Sequence, residues 1–127
     1  MENDKRALTG AEWNVMECLW QLGSCTGREA VAHLQTSAGY TRSTTLTMLR
    51  RMTEKGLISC AEQDGINTYA PLLPKEDATI RETDSFLNRV YNGSVSLMLS
   101  AFTKKHPLTQ SEIDELMAIL EEAKHSD

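Results

Sequence analysis

The 127-residue sequence predicts a mainly α-helical fold with one small β-hairpin. Three short helix patterns separated by tight turns come first, an alternating stretch follows the third, and three further amphipathic segments follow Pro74. This order predicts two domains, residues 1–73 and residues 74–127.

Capping boxes mark the first two helices. In a capping box a threonine hydroxyl and a glutamate three residues later each bind the other residue's backbone amide. The motif Thr9–Glu12 predicts the start of a first helix that ends before Gly23. The motif Thr26–Glu29 predicts the start of a second helix that ends near residues 37–39. We interpret the two tryptophans of the first helix as core residues: Trp13 and Trp20.

A third helix is predicted between Thr41, which can cap its start, and Gly56, which can end it. The inward stripe consists of Thr45, Leu49 and Met52, with Met48 beside them. The outward face consists of Ser43, Thr47, Arg50 and Glu54. Short hydroxyls and guanidinium groups can bind base edges and phosphates, so this face suits the major groove of DNA. The alternative is an ordinary amphipathic surface helix.

An alternating pattern directly follows the third helix. Residues 57–61 and 66–72 are predicted strands, and the polar residues 62–65 are their turn. A hairpin after a recognition helix is typical of the wing in a winged helix-turn-helix domain. Because phosphate would repel the acidic turn, a hairpin that only closes the core is an equally acceptable interpretation.

Three helices are predicted after Pro74: one ending at Asn92-Gly93, one capped by Ser94 and broken by Pro107, and one opened by a capping box at Thr109–Glu112. They carry more apolar residues than three such helices can bury among themselves. We therefore expect a homodimer, with packing against the N-terminal domain as the alternative. The predicted dimerisation residues are Phe86, Leu87, Val90, Tyr91, Leu97, Met98, Phe102, Ile113, Leu116, Met117 and Leu120.

The predicted contacts with double-stranded operator DNA lie on the third helix and at its end. The candidates for base edges are Ser43, Thr44, Leu46, Thr47 and Arg50. Among them, the arginine suits a guanine and the leucine a thymine methyl group. The candidates for phosphates are Arg42, Arg51 and Lys55. Arg51 could instead pair with an acidic residue of the first helix, such as Glu17.

Charge is distributed unevenly. The net charge is -5, with seven basic and eight acidic residues in 1–73 and six basic and ten acidic residues in 74–127. Between Tyr40 and Gly56, four basic residues outnumber one acidic residue. This local patch is compatible with phosphate contact, and its affinity for DNA should fall steeply with salt.

Several classes of protein are disfavoured. No apolar run is long enough to span a membrane and no signal segment opens the sequence, so we expect a soluble cytoplasmic protein without membrane insertion. Cys18, Cys25 and Cys60 form no CxxC pair, which argues against a disulfide framework or a zinc site. No catalytic triad, phosphate loop or metal cluster indicates an enzyme, so no cofactor is expected.

Several motifs carry a resemblance to a known family. They are Leu8–Met16 with Leu19-Trp20, Ser43-Thr44 with Thr47, Leu49 and Arg51 before Lys55–Ile58, Tyr69–Leu72, and Phe86–Asn88 with Tyr91–Ser94. On these motifs nearly the whole chain resembles the penicillinase and methicillin-resistance repressors (BlaI/MecI type) of Gram-positive bacteria. The resemblance implies a winged-helix domain with a helical dimerisation arm. It also implies dimers that bind palindromic operators and repress resistance genes, often including their own operon.

The resemblance further implies induction by proteolysis. In such proteins a membrane sensor metalloprotease detects a β-lactam, and the repressor is cut at an Asn-Phe bond in the dimerisation helix. Phe102 matches the second residue of that bond, whereas Ala101 stands in place of the asparagine. Cleavage between them would still remove much of the apolar dimer surface. Copper-responsive relatives carry a C-terminal cysteine cluster, which residues 121–127 lack.

Three functions remain compatible with the residues. The first is an operator-binding dimeric repressor, the second a winged-helix regulator whose dimer interior binds a small ligand, and the third a protein-interaction module. Ligand-dependent loss of DNA binding without cleavage would favour the second. The absence of salt-sensitive DNA binding would favour the third.

Overall fold

The computed structural model describes residues 6–124, which form six helices and three strands. In chain order these are α1 (Gly10–Leu22), β1 (Cys25–Thr26), α2 (Gly27–Ala38), α3 (Arg42–Glu54), β2 (Ile58–Gln63), β3 (Ile66–Pro71), α4 (Lys75–Tyr91), α5 (Val95–Lys105) and α6 (Gln110–Glu122). The chain divides into two compact units between Ser85 and Phe86, within α4. The predicted fold class is confirmed.

The predicted helix starts are confirmed. Capping boxes at Thr9, Thr26 and Thr109 begin α1, α2 and α6, and each threonine hydroxyl accepts a hydrogen bond of 3.1 Å from the amide three residues later. Thr41 and Ser94 cap α3 and α5 in the same way, without the reciprocal glutamate. Because capping depends on residues three positions apart, the sequence alone indicates where these helices begin.

One hydrophobic core lies between α1, α2, α3 and the sheet. Its most deeply buried side chains are Val15, Met16, Cys18, Leu19, Leu34, Leu49, Met52 and Ile58. Trp13 and Trp20 both pack against this core. Their two rings contact each other edge to face, with centroids 5.3 Å apart. The indole Nε1 of Trp20 donates a hydrogen bond to the Leu73 carbonyl oxygen at 2.9 Å, so its polar atom is satisfied.

The sheet is antiparallel, with β3 between β1 and β2. The hairpin turn consists of Asp64 and Gly65 alone, whose φ angles are 54° and 76°. The predicted four-residue turn at 62–65 was therefore wrong, because a two-residue turn at positive φ matches strand twist and lets β2 continue to Gln63. The strand β1 was not predicted, since two residues are too few to display an alternation.

The second unit consists of the end of α4 together with α5 and α6. Asn92 and Gly93, both at positive φ, make the turn between the first two of these helices. No side chain in residues 86–124 is fully buried. Within residues 6–124, no helix combines the length and the apolarity needed to cross a membrane.

Candidate nucleic-acid interface

The helix α3 is held by the core and presents a polar face. Thr45, Leu49 and Met52 are buried and Met48 is half-buried, which confirms the predicted inward stripe. After the helix ends, Gly56 adopts a φ of 82° and the Leu57 amide bonds the Met52 carbonyl at 3.0 Å. The face opposite the core carries the exposed side chains Arg42, Ser43, Thr44, Arg50 and Arg51.

The first turn of α3 is cationic. Acidic residues stand in the first turn of α1, α2, α4 and α6, where they complement the positive end of the helix dipole. The first turns of α3 and α5 contain no acidic residue, and that of α3 begins with the cationic Arg42. An arginine there is unfavourable for the isolated helix, and a bound anion would offset the repulsion. The arrangement therefore suits an anionic ligand at this end of α3.

The residues predicted to contact base edges differ in how much of their side chain is available to DNA. The Thr44 hydroxyl accepts a hydrogen bond from the Thr41 hydroxyl at 3.0 Å, so part of its bonding capacity serves the cap. Leu46 is half-buried against the core, and Thr47 is half-buried as well. Arg50 pairs with Glu54 at 3.5 Å, but exposed pairs of this kind contribute little, so the guanidinium remains available. Their roles in base contact stay predictions.

Lys55, a predicted phosphate contact, has a partner inside the protein. Its Nζ donates a hydrogen bond to the carboxylate of Glu12, whose side chain is only 10% exposed. Burial by itself raises the pKa of Glu12, but hydrogen bonds from Lys55 and from Thr9 outweigh it and hold that pKa below its usual value. Lys55 thus fastens the end of α3 to the start of α1.

The alternative pairing of Arg51 with Glu17 does not form. Glu17 pairs instead with Lys75, with Nζ and Oε2 3.1 Å apart. The chain does join α1 to α3 by an ion pair, but through Glu12 and Lys55. Arg51 makes no ion pair within residues 6–124, so its guanidinium is available for a ligand.

The predicted dimerisation residues are all at least partly exposed. The exposed ones are Phe86, Val90, Leu97, Phe102, Ile113, Met117 and Leu120. The half-buried ones are Leu87, Tyr91, Met98 and Leu116. Ala101 and Phe102 are exposed within α5, and the Phe102 ring stacks on His106 at 4.5 Å between centroids.

Sequence reasoning missed three residues beside α3. Arg28 at the start of α2 and Ile66 and Asn67 at the start of β3 line one groove together with Arg42 and Leu46. Their proximity depends on the pairing of β1 with β3, which joins residues more than 40 positions apart. Among them only Arg28, a basic residue beside a predicted helix start, gave a local signal.

An exposed helix with a basic and hydroxyl-rich face, followed by a hairpin, defines a winged helix-turn-helix DNA-binding protein. The family model described as penicillinase repressor matches residues 8–122. The chain therefore belongs to the penicillinase repressor family, whose members are transcriptional repressors and not enzymes.

Individual relatives agree with this assignment. The penicillinase repressor of Bacillus licheniformis is 32% identical over 118 residues, which cover 93% of this chain and 92% of the relative. The methicillin resistance regulatory protein MecI of Staphylococcus aureus is 28% identical over 120 residues, which cover 94% and 98% respectively. The chain is thus similar to these repressors over nearly its whole length.

Solved structures show the same fold. The DNA-binding domain of the repressor BlaI aligns with a TM-score of 0.53 at 24% identity, over 60% of this chain and 93% of that domain. The monomeric form of Bacillus licheniformis BlaI, solved in complex with the blaP half-operator, aligns with a TM-score of 0.51 at 24% identity, over 58% and 90%.

Proposed function

We propose that this chain acts in the cytoplasm as a homodimer that binds a palindromic operator and represses a resistance or stress operon. The observation that carries the proposal is the outward face of α3, where Arg42, Arg50 and Arg51 are exposed beside the hydroxyls of Ser43 and Thr44. Guanidinium forks and hydroxyls are suited to base edges and phosphates in the major groove. A relative with the same fold, BlaI, was solved with a half-operator, which supports DNA binding by this fold.

Dimerisation is supported by the apolar surface of the second unit. Leu97, Phe102, Met117 and Leu120 are each half exposed or more, although they lie on capped, well-formed helices. Solvent exposure of such a stripe is unfavourable, and a second copy would cover it symmetrically. A dimer would also place two recognition helices on two half-sites, so that the second contact benefits from the first.

Release by proteolysis is part of the proposal. The bond between Ala101 and Phe102 lies within α5 and both side chains are exposed, so a protease can approach this segment. A protease needs an extended substrate, and α5 must therefore open locally before it is cut. Cleavage there would remove α6 and the end of α5, and with them Ile113, Met117 and Leu120 of the proposed dimer surface.

The test is a titration of the full chain against a labelled duplex from upstream of its own gene and against a scrambled duplex. Binding should be tight, selective and sensitive to salt, because phosphate contacts release counterions. Equal and weak binding to both duplexes at low salt would contradict recognition of that operator.

Two neighbouring arginines on α3 make a matched pair of variants. Arg50→Ala should cost about 1–3 kcal/mol on the correct operator and relax the preference at one base pair. Arg51→Ala should weaken binding to both duplexes alike, because a phosphate contact carries no sequence information. Equal losses on both duplexes for Arg50→Ala would contradict its assignment to a base.

A further inference from the structure

A groove of about 640 Å³ lies beside the recognition helix, between the start of α2, the start of α3 and the start of β3. The side chains that matter for its chemistry are Arg28, Arg42, Leu46, Ile66, Asn67 and Tyr69. All of them belong to the first unit. The groove therefore borders the face of α3 that is proposed to enter the major groove.

The floor of the groove is apolar and closely packed. A β-carbon placed on Gly27 would lie 3.6 Å from Leu46 Cδ2 and 3.7 Å from Tyr69 Cε2, so the backbone of α2 rests on these two side chains. Tyr69 is paired on one side with Cys25 in β1 and on the other with Cys60 in β2, which fixes its position. Ile66 remains 55% exposed at the edge of this floor.

The charged groups of the groove are cationic. Arg28 and Arg42 are both exposed, and neither makes an ion pair or a side-chain hydrogen bond within residues 6–124. The wing acids Glu62 and Asp64 do not line the groove. Two available guanidinium groups beside an apolar floor match a polymer in which phosphates alternate with sugars.

We infer that this groove binds one sugar–phosphate strand of the operator, with Arg28 and Arg42 contacting its phosphates and Ile66 packing against a deoxyribose. The inference rests on the proposed function and adds to it residues outside α3. It also assigns the wing a mode of contact: Ile66 and Asn67 at the start of β3 touch the strand, and the wing acids Glu62 and Asp64 do not line the groove that holds it, although Glu62 is paired with Asn67 across the hairpin. The Asn67 amide can donate a further hydrogen bond to a phosphate oxygen.

The probe for the test is a duplex of about 30 base pairs, long enough for two half-sites, enriched from a random library by the full-length wild-type chain. Arg28→Ala should bind this duplex roughly five- to tenfold more weakly at moderate salt. The slope of log affinity against log salt should become shallower by about 1 for each protomer. The enriched sequence itself should not change, because a phosphate contact carries no base preference.

Ile66→Ala separates the apolar contact from the charged one. It should weaken binding a few-fold and leave the salt slope unchanged, because no cation is lost. The matched control is Lys104→Ala, which removes an exposed cation from α5. This control should leave both affinity and slope at the wild-type values. A midpoint of thermal unfolding equal to that of the wild type would show that the fold of each variant is intact.

The outcomes distinguish this inference from the proposed function. If the wild type enriches a duplex and Arg28→Ala binds it with unchanged affinity and slope, the groove does not hold the strand, while operator binding stands. If Arg28→Ala and Lys104→Ala weaken binding equally, the effect comes from total charge and the groove assignment is overturned. If the wild type enriches no duplex, the proposed function fails and the inference fails with it.

Discussion

The first unit, which contains the winged helix, and the C-terminal arm, meaning residues 86–124 of the second unit, differ in how they bury their apolar residues. In the first unit Val15, Leu19, Leu34 and Leu49 have no exposed surface. In the arm no side chain is fully buried, and Met117 is 63% exposed. Both regions are built from capped amphipathic helices, so helix patterning does not distinguish them. The difference teaches that the arm has apolar faces without a layer to cover them, whereas three helices and a sheet enclose the first core.

The largest effect is expected from a truncation in the enclosed core. Leu49→Ala should lower the free energy of unfolding by about 3–5 kcal/mol, because it leaves a cavity among fully buried side chains. The matched variant in the arm is Leu120→Ala, at a residue that is 56% exposed. Under dilute conditions that keep the chain monomeric, it should cost little. Urea unfolding monitored by circular dichroism measures the free energy of unfolding of both variants. Equal decreases in this free energy would contradict the difference in burial between the two units.

Deletion of Phe102 to Asp127 tests whether the first unit stays folded without most of the arm. The remaining chain should stay folded through its own core but lose most of the proposed dimer surface. We expect a monomer by sedimentation velocity and a loss of roughly a hundredfold in operator affinity, because the second half-site no longer helps the first. A truncated chain that still sediments as a dimer would place the interface elsewhere.

Glu12 and Glu112 occupy the same position in two capping boxes, one in each unit. Glu12 also accepts a bond from Lys55, and we expect Glu12→Gln to cost about 1–2 kcal/mol at neutral pH. The pKa of Glu12 is held below its ordinary value of 4.5, so its contribution is complete above about pH 4.5 and is lost as pH falls through the lower, folded value.

The pH dependence provides the measurement. The unfolding free energy of the wild type should fall with decreasing pH below 4.5, and the Glu12→Gln profile should be flatter in that range. Glu112→Gln is the control in the arm: hydrogen bonds from Thr109 lower the pKa of Glu112, but this side chain is exposed and salt-screened. A wild-type profile no steeper than that of Glu12→Gln would contradict the role given to the Glu12–Lys55 pair.

The smallest effect is a gain. The hydroxyl of Thr45 is fully buried in the first unit and makes no hydrogen bond with any residue between 6 and 124, which costs stability. Thr45→Val replaces it with a methyl group of similar size and should stabilise the chain by about 1 kcal/mol. Thr53→Val is the control, because the Thr53 hydroxyl donates to the Leu49 carbonyl at 2.7 Å and its loss brings no such gain. A stabilisation of equal size in both variants would mean that β-branching alone is responsible.

Most of the fold could be predicted from the sequence because it is determined locally. The capping boxes, the inward stripe of α3 and the hairpin depend on residues a few positions apart. The structure contains each of them at the residues where the sequence pattern predicts it. The turn was predicted too long because Glu62 and Gln63 are polar, yet they belong to the exposed end of β2. Polarity there reflects solvent exposure and not chain reversal.

The candidate site was only partly predictable. The outward residues of α3 follow from helical periodicity, so their placement could be deduced. The bond from Lys55 to Glu12 and the groove beside Arg28 join residues that are distant in sequence. Long side chains that can reach several partners are assigned only once the packing of the helices is known. For that reason the ion pair of Lys55 with Glu12 could not be predicted from the sequence, and the contact of Lys55 with phosphate stays a prediction.

The position of the tryptophans allows the two units to be followed separately by spectroscopy. Trp13 and Trp20, the two tryptophans of the chain, both lie in α1, where their rings contact each other and the Lys75 ammonium lies 5.9 Å from the Trp20 ring centroid. Selectively excited tryptophan emission therefore follows the first unit alone, whereas ellipticity at 222 nm, a helix signal, sums over all helices. Recorded on one sample, the two signals would separate the melting of the arm from the melting of the core.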